Sequence, residues 1–123
     1  MILVDTSVWI DHLRASNPVL VRFLGEGRVL THPFVISELA LGDLRDPLPV
    51  LDALREMPQA VRATDDEVLA FTVAKALNGL RLSHVDAHLL VSARLSPGVL
   101  LWTLDPVLAL VAERFGLRVE PVA

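Results

Sequence analysis

The chain has 123 residues, a formal charge of −4, no cysteine and 53% hydrophobic residues. That length fits one domain over residues 1–123, and the negative balance argues against nucleic-acid binding through a broad basic surface, though not against an enzyme that reaches phosphate through bound cations. Without cysteine, disulfides and thiolate chemistry are excluded and the cytoplasm is the default compartment, while the absence of a basic leader before the acid at position 5 and of any apolar run near ~18 residues excludes a signal peptide and a membrane span.

Ile2-Leu3-Val4 is too short for a helix and has no polar alternation, so it reads as a strand buried on both faces at the centre of a parallel sheet, ending at Asp5. Helical spacing follows over Ser7 to Arg14, and Asn17-Pro18 starts a second short helix through Phe23, closed by Gly25-Glu26-Gly27. Arg28 to Thr31 reads as a short strand. Pro33 stands where a first helical residue is tolerated, and a helix over Phe34 to Leu41 ends at Gly42. Pro47 and Pro49 open a helix through Met57, and Gln59 to Arg62 reads as a strand. Thr64-Asp65-Asp66-Glu67 is a capping box that opens a helix to about Leu77, and Ser83-His84-Val85-Asp86 is a second one, opening a helix to about Leu95. Val99 to Leu104 is the other strongly apolar strand, and it too ends at an acid, Asp105; Pro106 starts a helix to Arg114, and Leu117 to Glu120 is a last, more polar strand. Strands alternating with helices predict a mainly parallel sheet covered on both faces, an α/β fold.

Four acids stand out. Asp5 and Asp105 both sit directly before helices, where capping explains each of them. Yet two apolar strands in one sheet both deliver an acid to the carboxyl edge, and if the strands are neighbours the acids share one crevice, about 5 Å apart. Glu38 lies mid-helix beside Phe34, Leu41 and Gly42 with no Lys or Arg at helical spacing, so it is expected to face inward and to need a positive species. Asp86 is the third position of its capping box, but the apolar helix behind it brings it near the core. Two carboxylates 5 Å apart repel by roughly 3 kcal/mol at an effective dielectric near 20, so four in one crevice call for a cation. Oxygen-only ligands point to Mg²⁺ or Mn²⁺, which suits phosphodiester hydrolysis.

Val4-Asp5-Thr6-Ser7, Ser37-Glu38-Leu39, Gly79 with Leu82 and Asp86, and Thr103-Leu104-Asp105 together resemble the PIN-domain ribonucleases, particularly the VapC toxins of toxin–antitoxin pairs. The resemblance covers nearly the whole chain. It implies a three-layer α/β/α sandwich and a Mg²⁺- or Mn²⁺-dependent endoribonuclease leaving 5′-phosphate and 3′-hydroxyl ends. It further implies a homodimer held inactive by a cognate VapB-like antitoxin. It carries the metal-binding role to Asp5, Glu38, Asp86 and Asp105, with Thr6, Ser7 and Thr103 as orienting hydroxyls. The chain departs from the family's pattern at Leu90 and Val91, where small residues are common.

Other residues are assigned blander roles. His84 and His88 are four apart on a helix with no further thiolate or imidazole nearby, so a surface or packing role is expected rather than zinc. Trp9 and Trp102 lie in apolar segments and should pack; Arg14, Arg22, Arg45, Arg81, Asp11, Asp43 and Asp46 should be solvated. Two competing readings remain open. A metal-dependent phosphatase with Asp5 as nucleophile would carry an acid two residues later, where Ser7 stands. A regulatory or binding module would use its acids only as caps.

Overall fold

The computed structural model describes residues 1–119. Three parallel strands, β1 (Ile2–Val4), β2 (Val29–Leu30) and β3 (Leu100–Trp102), lie in the order β2-β1-β3. Ile2 pairs with Val29 and Leu100, Leu3 with Leu30 and Leu101, and Val4 with Trp102. Successive strand residues point to opposite faces, and Ile2, Leu3 and Val4 are 1%, 0% and 0% exposed, so both faces of β1 are covered. Each such side chain contributes about 1.5–3 kcal/mol of burial. The helices that do the covering are α1 (Thr6–Arg14), α2 (Pro18–Gly25), α3 (Pro33–Leu41), α4 (Pro47–Glu56), α5 (Asp65–Ala74), α6 (His84–Leu95) and α7 (Pro106–Arg114). Helix α3 packs on α1 and α4, whereas α6 packs on α5, α7 and β3. The expected α/β architecture, a mainly parallel sheet between helices, is therefore the one formed.

Local chemistry explains where the helices begin. Asn17 Oδ1 accepts from the backbone N–H of Val19 and Leu20 ahead of α2, and both capping boxes form as their sequence requires. His32 is a cap that the sequence did not announce: its Nδ1 accepts from Phe34 N at 3.0 Å, opening α3. Leu90 and Val91 are buried and fill the interior behind α6. Trp9 and Trp102 pack inside as expected, Trp102 edge-on to Phe23.

Three segments depart from the sequence reading. The strands expected at Gln59 to Arg62 and from Leu117 reduce to single parallel bridges, Thr31 with Gln59 and Leu101 with Arg118. Each bridge is one pair of bonds around one residue: Thr31 N to Pro58 O and Ala60 N to Thr31 O on one side, Leu101 N to Leu117 O and Val119 N to Leu101 O on the other. Glu120, the end of that last expected strand, lies outside the described residues. Helix α5 stops at Ala74, short of Leu77, because Ala76 turns left-handed (φ +53°) and Leu77 folds back to bury its side chain, its N–H bonding Thr72 O. Among the described residues no helix is long and apolar enough to cross a membrane.

Candidate metal centre

The order β2-β1-β3 places the carboxyl ends of β1 and β3 side by side, the position at which open parallel sheets bind ligands. Asp5 N–H still bonds Trp102 O at 2.9 Å, so the ladder holds the residue rigidly as the strand ends. Its backbone carbonyl begins α1, but its side chain makes no capping bond. Instead Asp5 Oδ2 accepts two hydroxyls, Ser7 Oγ at 2.7 Å and Thr103 Oγ1 at 2.7 Å. Those hydroxyls are themselves fixed, because Ser7 Oγ accepts from Leu104 N and Thr103 Oγ1 from Asp105 N, each at 3.0 Å. The residue is only 6% exposed, and the two hydroxyls hold its carboxylate in place.

Asp105 caps α7, with Oδ1 accepting from Val107 N at 2.9 Å and Leu108 N at 3.1 Å. Asp86 closes its capping box by accepting Ser83 N–H on Oδ2 at 3.2 Å. Glu38 Oε1 accepts the Thr6 hydroxyl at 2.7 Å, which ties α3 to the first turn of α1. One pattern runs through all four. Each acid spends one oxygen on a hydroxyl or backbone N–H, and among the described residues no hydrogen bond or ion pair goes to the other. Capping and ligand binding are thus compatible, since they use different oxygens. The Asp86 carboxyl is pushed above its usual value, chiefly by burial and further by the charges of Asp5 and Asp105, against the opposing pull of its Ser83 hydrogen bonds. Three acids therefore share one field. Carboxylates with an oxygen to spare are the kind of donor a hard divalent cation takes.

The PIN domain family's profile matches residues 2–114. The chain belongs to the PIN-domain family. It is also 46% identical over 117 residues to "Ribonuclease VapC32" of Mycobacterium tuberculosis, in the strains CDC 1551/Oshkosh and H37Rv, covering 95% of this chain and 94% of each relative. No solved structure matches it significantly.

On this PIN domain the expected site residues do not all behave as the sequence suggested. The charges of Asp5 and Asp105 reach Asp86, but among the described residues no three of the four acids bring ligand oxygens within 4.8 Å of one another; Ser7 and Thr103 orient Asp5. Glu38 needs correction, since it is exposed rather than turned inward and its partner is the Thr6 hydroxyl. Leu41, one of the apolar neighbours that suggested an inward face, is itself 86% exposed. Short apolar helices can mislead in this way, because α3 is apolar on nearly every side and its periodicity marks no face. Asp65 is a neighbour of His84 and His88 that their spacing does not reveal: its Oδ1 lies 4.0 Å from His84 Nε2 and 2.9 Å from His88 Nε2. A capping box disguises it, for acids in a first turn are routinely explained by the helix dipole.

Proposed function

We propose that this PIN-domain protein is a Mg²⁺- or Mn²⁺-dependent endoribonuclease, the toxin of a toxin–antitoxin pair, acting in the cytoplasm as a single nuclease domain over residues 1–123. The observation that carries this reading is the shared pattern of the four acids, each with one oxygen held by the chain and the other left over. The similarity to a protein named as a ribonuclease supports RNA as substrate. Asp5, Asp86 and Asp105 would hold the cation, and Glu38 would bind it or orient the attacking water. When bound, a divalent cation supplies neutralisation of the charge developing on phosphoryl oxygen and lowers the pKa of a coordinated water.

The chain's own contribution is positioning. Ser7 and Thr103 both donate to Oδ2 of Asp5 and leave Oδ1 over, Thr6 holds Glu38 at the rim, and the caps of α6 and α7 fix Asp86 and Asp105 without consuming their second oxygens. A VapB-like antitoxin and a second copy of the chain are the proposed protein partners. Exposed apolar side chains such as Leu41, Leu69, Val73 and Leu110, each more than 60% exposed, support such contacts.

The test is RNA cleavage with and without Mg²⁺, run beside Asp5→Asn. Cleavage is expected only with the metal and is expected to fall by about a hundredfold or more in the variant, with its circular dichroism spectrum unchanged. Cleavage that persists in chelator, or an undiminished rate in Asp5→Asn, overturns the proposal.

A further inference from the structure

Helix α6 carries chemistry on two sides. Asp86 stands two residues from both His84 and His88, roughly 200° around the helix from each, so the imidazoles face away from the acid crevice. They turn instead toward the first residue of α5, Asp65, and toward Phe34, whose ring lies 4.8 Å from the His88 ring. One ligand atom from each of Asp65, His84 and His88 lies within 4.8 Å of the others.

The decisive member is His88. It is 2% exposed, and among the described residues neither of its ring nitrogens makes a hydrogen bond. Asp65 Oδ1 approaches Nε2 to 2.9 Å but not with hydrogen-bond geometry, so the carboxylate stands beside the nitrogen without satisfying it. Buried polar atoms are seldom left in that state without an unseen partner. Asp65 and His88 line a cavity of about 260 Å³ with Phe34, Arg62, Ala63 and Thr64, and Asp65 and His84 together line a second one.

We propose that Asp65, His84 and His88 form a second metal site, distinct from the acid crevice, that takes a borderline transition-metal ion such as Zn²⁺. Two imidazoles and a carboxylate suit Zn²⁺, Co²⁺ or Ni²⁺ and are a poor set for Mg²⁺, which prefers oxygen alone. Neighbouring ligand atoms in a tetrahedral zinc site lie roughly 3.3 Å apart. The observed separations of 2.9 and 4.0 Å bracket that value, and the side chains that must adjust are the mobile ones, since Asp65 and His84 are 85% and 69% exposed while His88 is fixed. Water completes the shell on the exposed side. The site clips the start of α5 to α6, the helix that carries Asp86.

Metal-stripped full-length protein, kept in excess Mg²⁺ to occupy the acid crevice, is titrated with Co²⁺ while the visible absorption bands are followed, and with Zn²⁺ in competition. One equivalent is expected to bind, with the same affinity in the parent and in Asp5→Asn, and to weaken at least tenfold in both His84→Ala and Asp65→Asn. Those two exposed positions are chosen because a substitution at buried His88 disturbs packing as well. Loss of binding in Asp5→Asn, undiminished binding in His84→Ala or Asp65→Asn, or no binding in the parent overturns the proposal. Each outcome is independent of RNA cleavage.

Discussion

His32 has to stay neutral in the folded chain. Its Nδ1 lone pair caps Phe34 N–H, so the ring proton sits on Nε2, a buried atom with no hydrogen-bond partner among the described residues. Protonation would place a charge in a fully buried site and cancel the cap. Burial, followed by the charges of His88 and Arg62, accordingly lowers its pKa from 6.5 to about 4. The unfolded chain takes up a proton near pH 6.5 that the native state refuses until about pH 4. Stability is therefore complete above the upper value and is lost as pH falls through this window, by on the order of 2–3 kcal/mol. His32→Asn supplies a cap oxygen that does not titrate. Its urea midpoint is expected to fall less than the parent's between pH 7 and pH 4.5, and parallel falls would refute the assignment. Nothing in the sequence marked this histidine, because Pro33 already accounted for the start of α3. Asp5 was legible for the opposite reason: an apolar run too short for a helix that stops at a carboxylate marks a buried strand delivering an acid to the sheet edge.

At the scale of elements, Asp105 tests whether a cap and a ligand can be separated. Its Oδ1 accepts from two backbone N–H groups of α7, and its other oxygen is the one proposed for the metal. Asp105→Asn can keep the acceptor while removing the charge, so it is expected to lose RNA cleavage with stability changed by less than about 0.5 kcal/mol. Asp105→Ala loses the cap as well, and its stability in denaturant should fall by about 0.5–2 kcal/mol. Equal stability in the two variants would mean that the cap contributes nothing to α7. The central strands and the two capping boxes were readable in advance because each is a local pattern with one physical meaning: apolar runs for β1 and β3, hydroxyl–acid pairs for α5 and α6. The sheet edges were not. Gln59 and Arg118 pair through single bridges, and whether a polar segment continues along an edge depends on its tertiary neighbours rather than its own residues. The exposure of Glu38 was hidden likewise, since the face that α3 buries is chosen by α1 and α4.

For the molecule as a whole, the proposed acid site would be a source of instability that a cation relieves. Asp5, Asp86 and Asp105 interact closely enough for their charges to raise the Asp86 pKa, and among the described residues no basic side chain pairs with any of them. The metal-free fold bears that repulsion, and the unfolded chain, with the acids far apart, does not. Binding of Mn²⁺ to the native state adds RT ln(1 + [L]/Kd), about 2.7 kcal/mol when the free ion stands at a hundred times its dissociation constant. Thermal melts in rising Mn²⁺ should therefore shift upward by several degrees and continue to rise with concentration. Asp5→Asn separates the two effects. It removes one charge from the cluster and one ligand from the proposed site, so its metal-free melting temperature should equal or exceed the parent's while its response to Mn²⁺ shrinks. The assay must be run in the His84→Ala background, so that occupancy of the histidine site does not enter the shift. A module whose acids served only as caps would melt at the same temperature with and without the ion. Flat melts in the His84→Ala chain that keeps Asp5 would thus remove the metal centre from the four acids, whatever the fold's family.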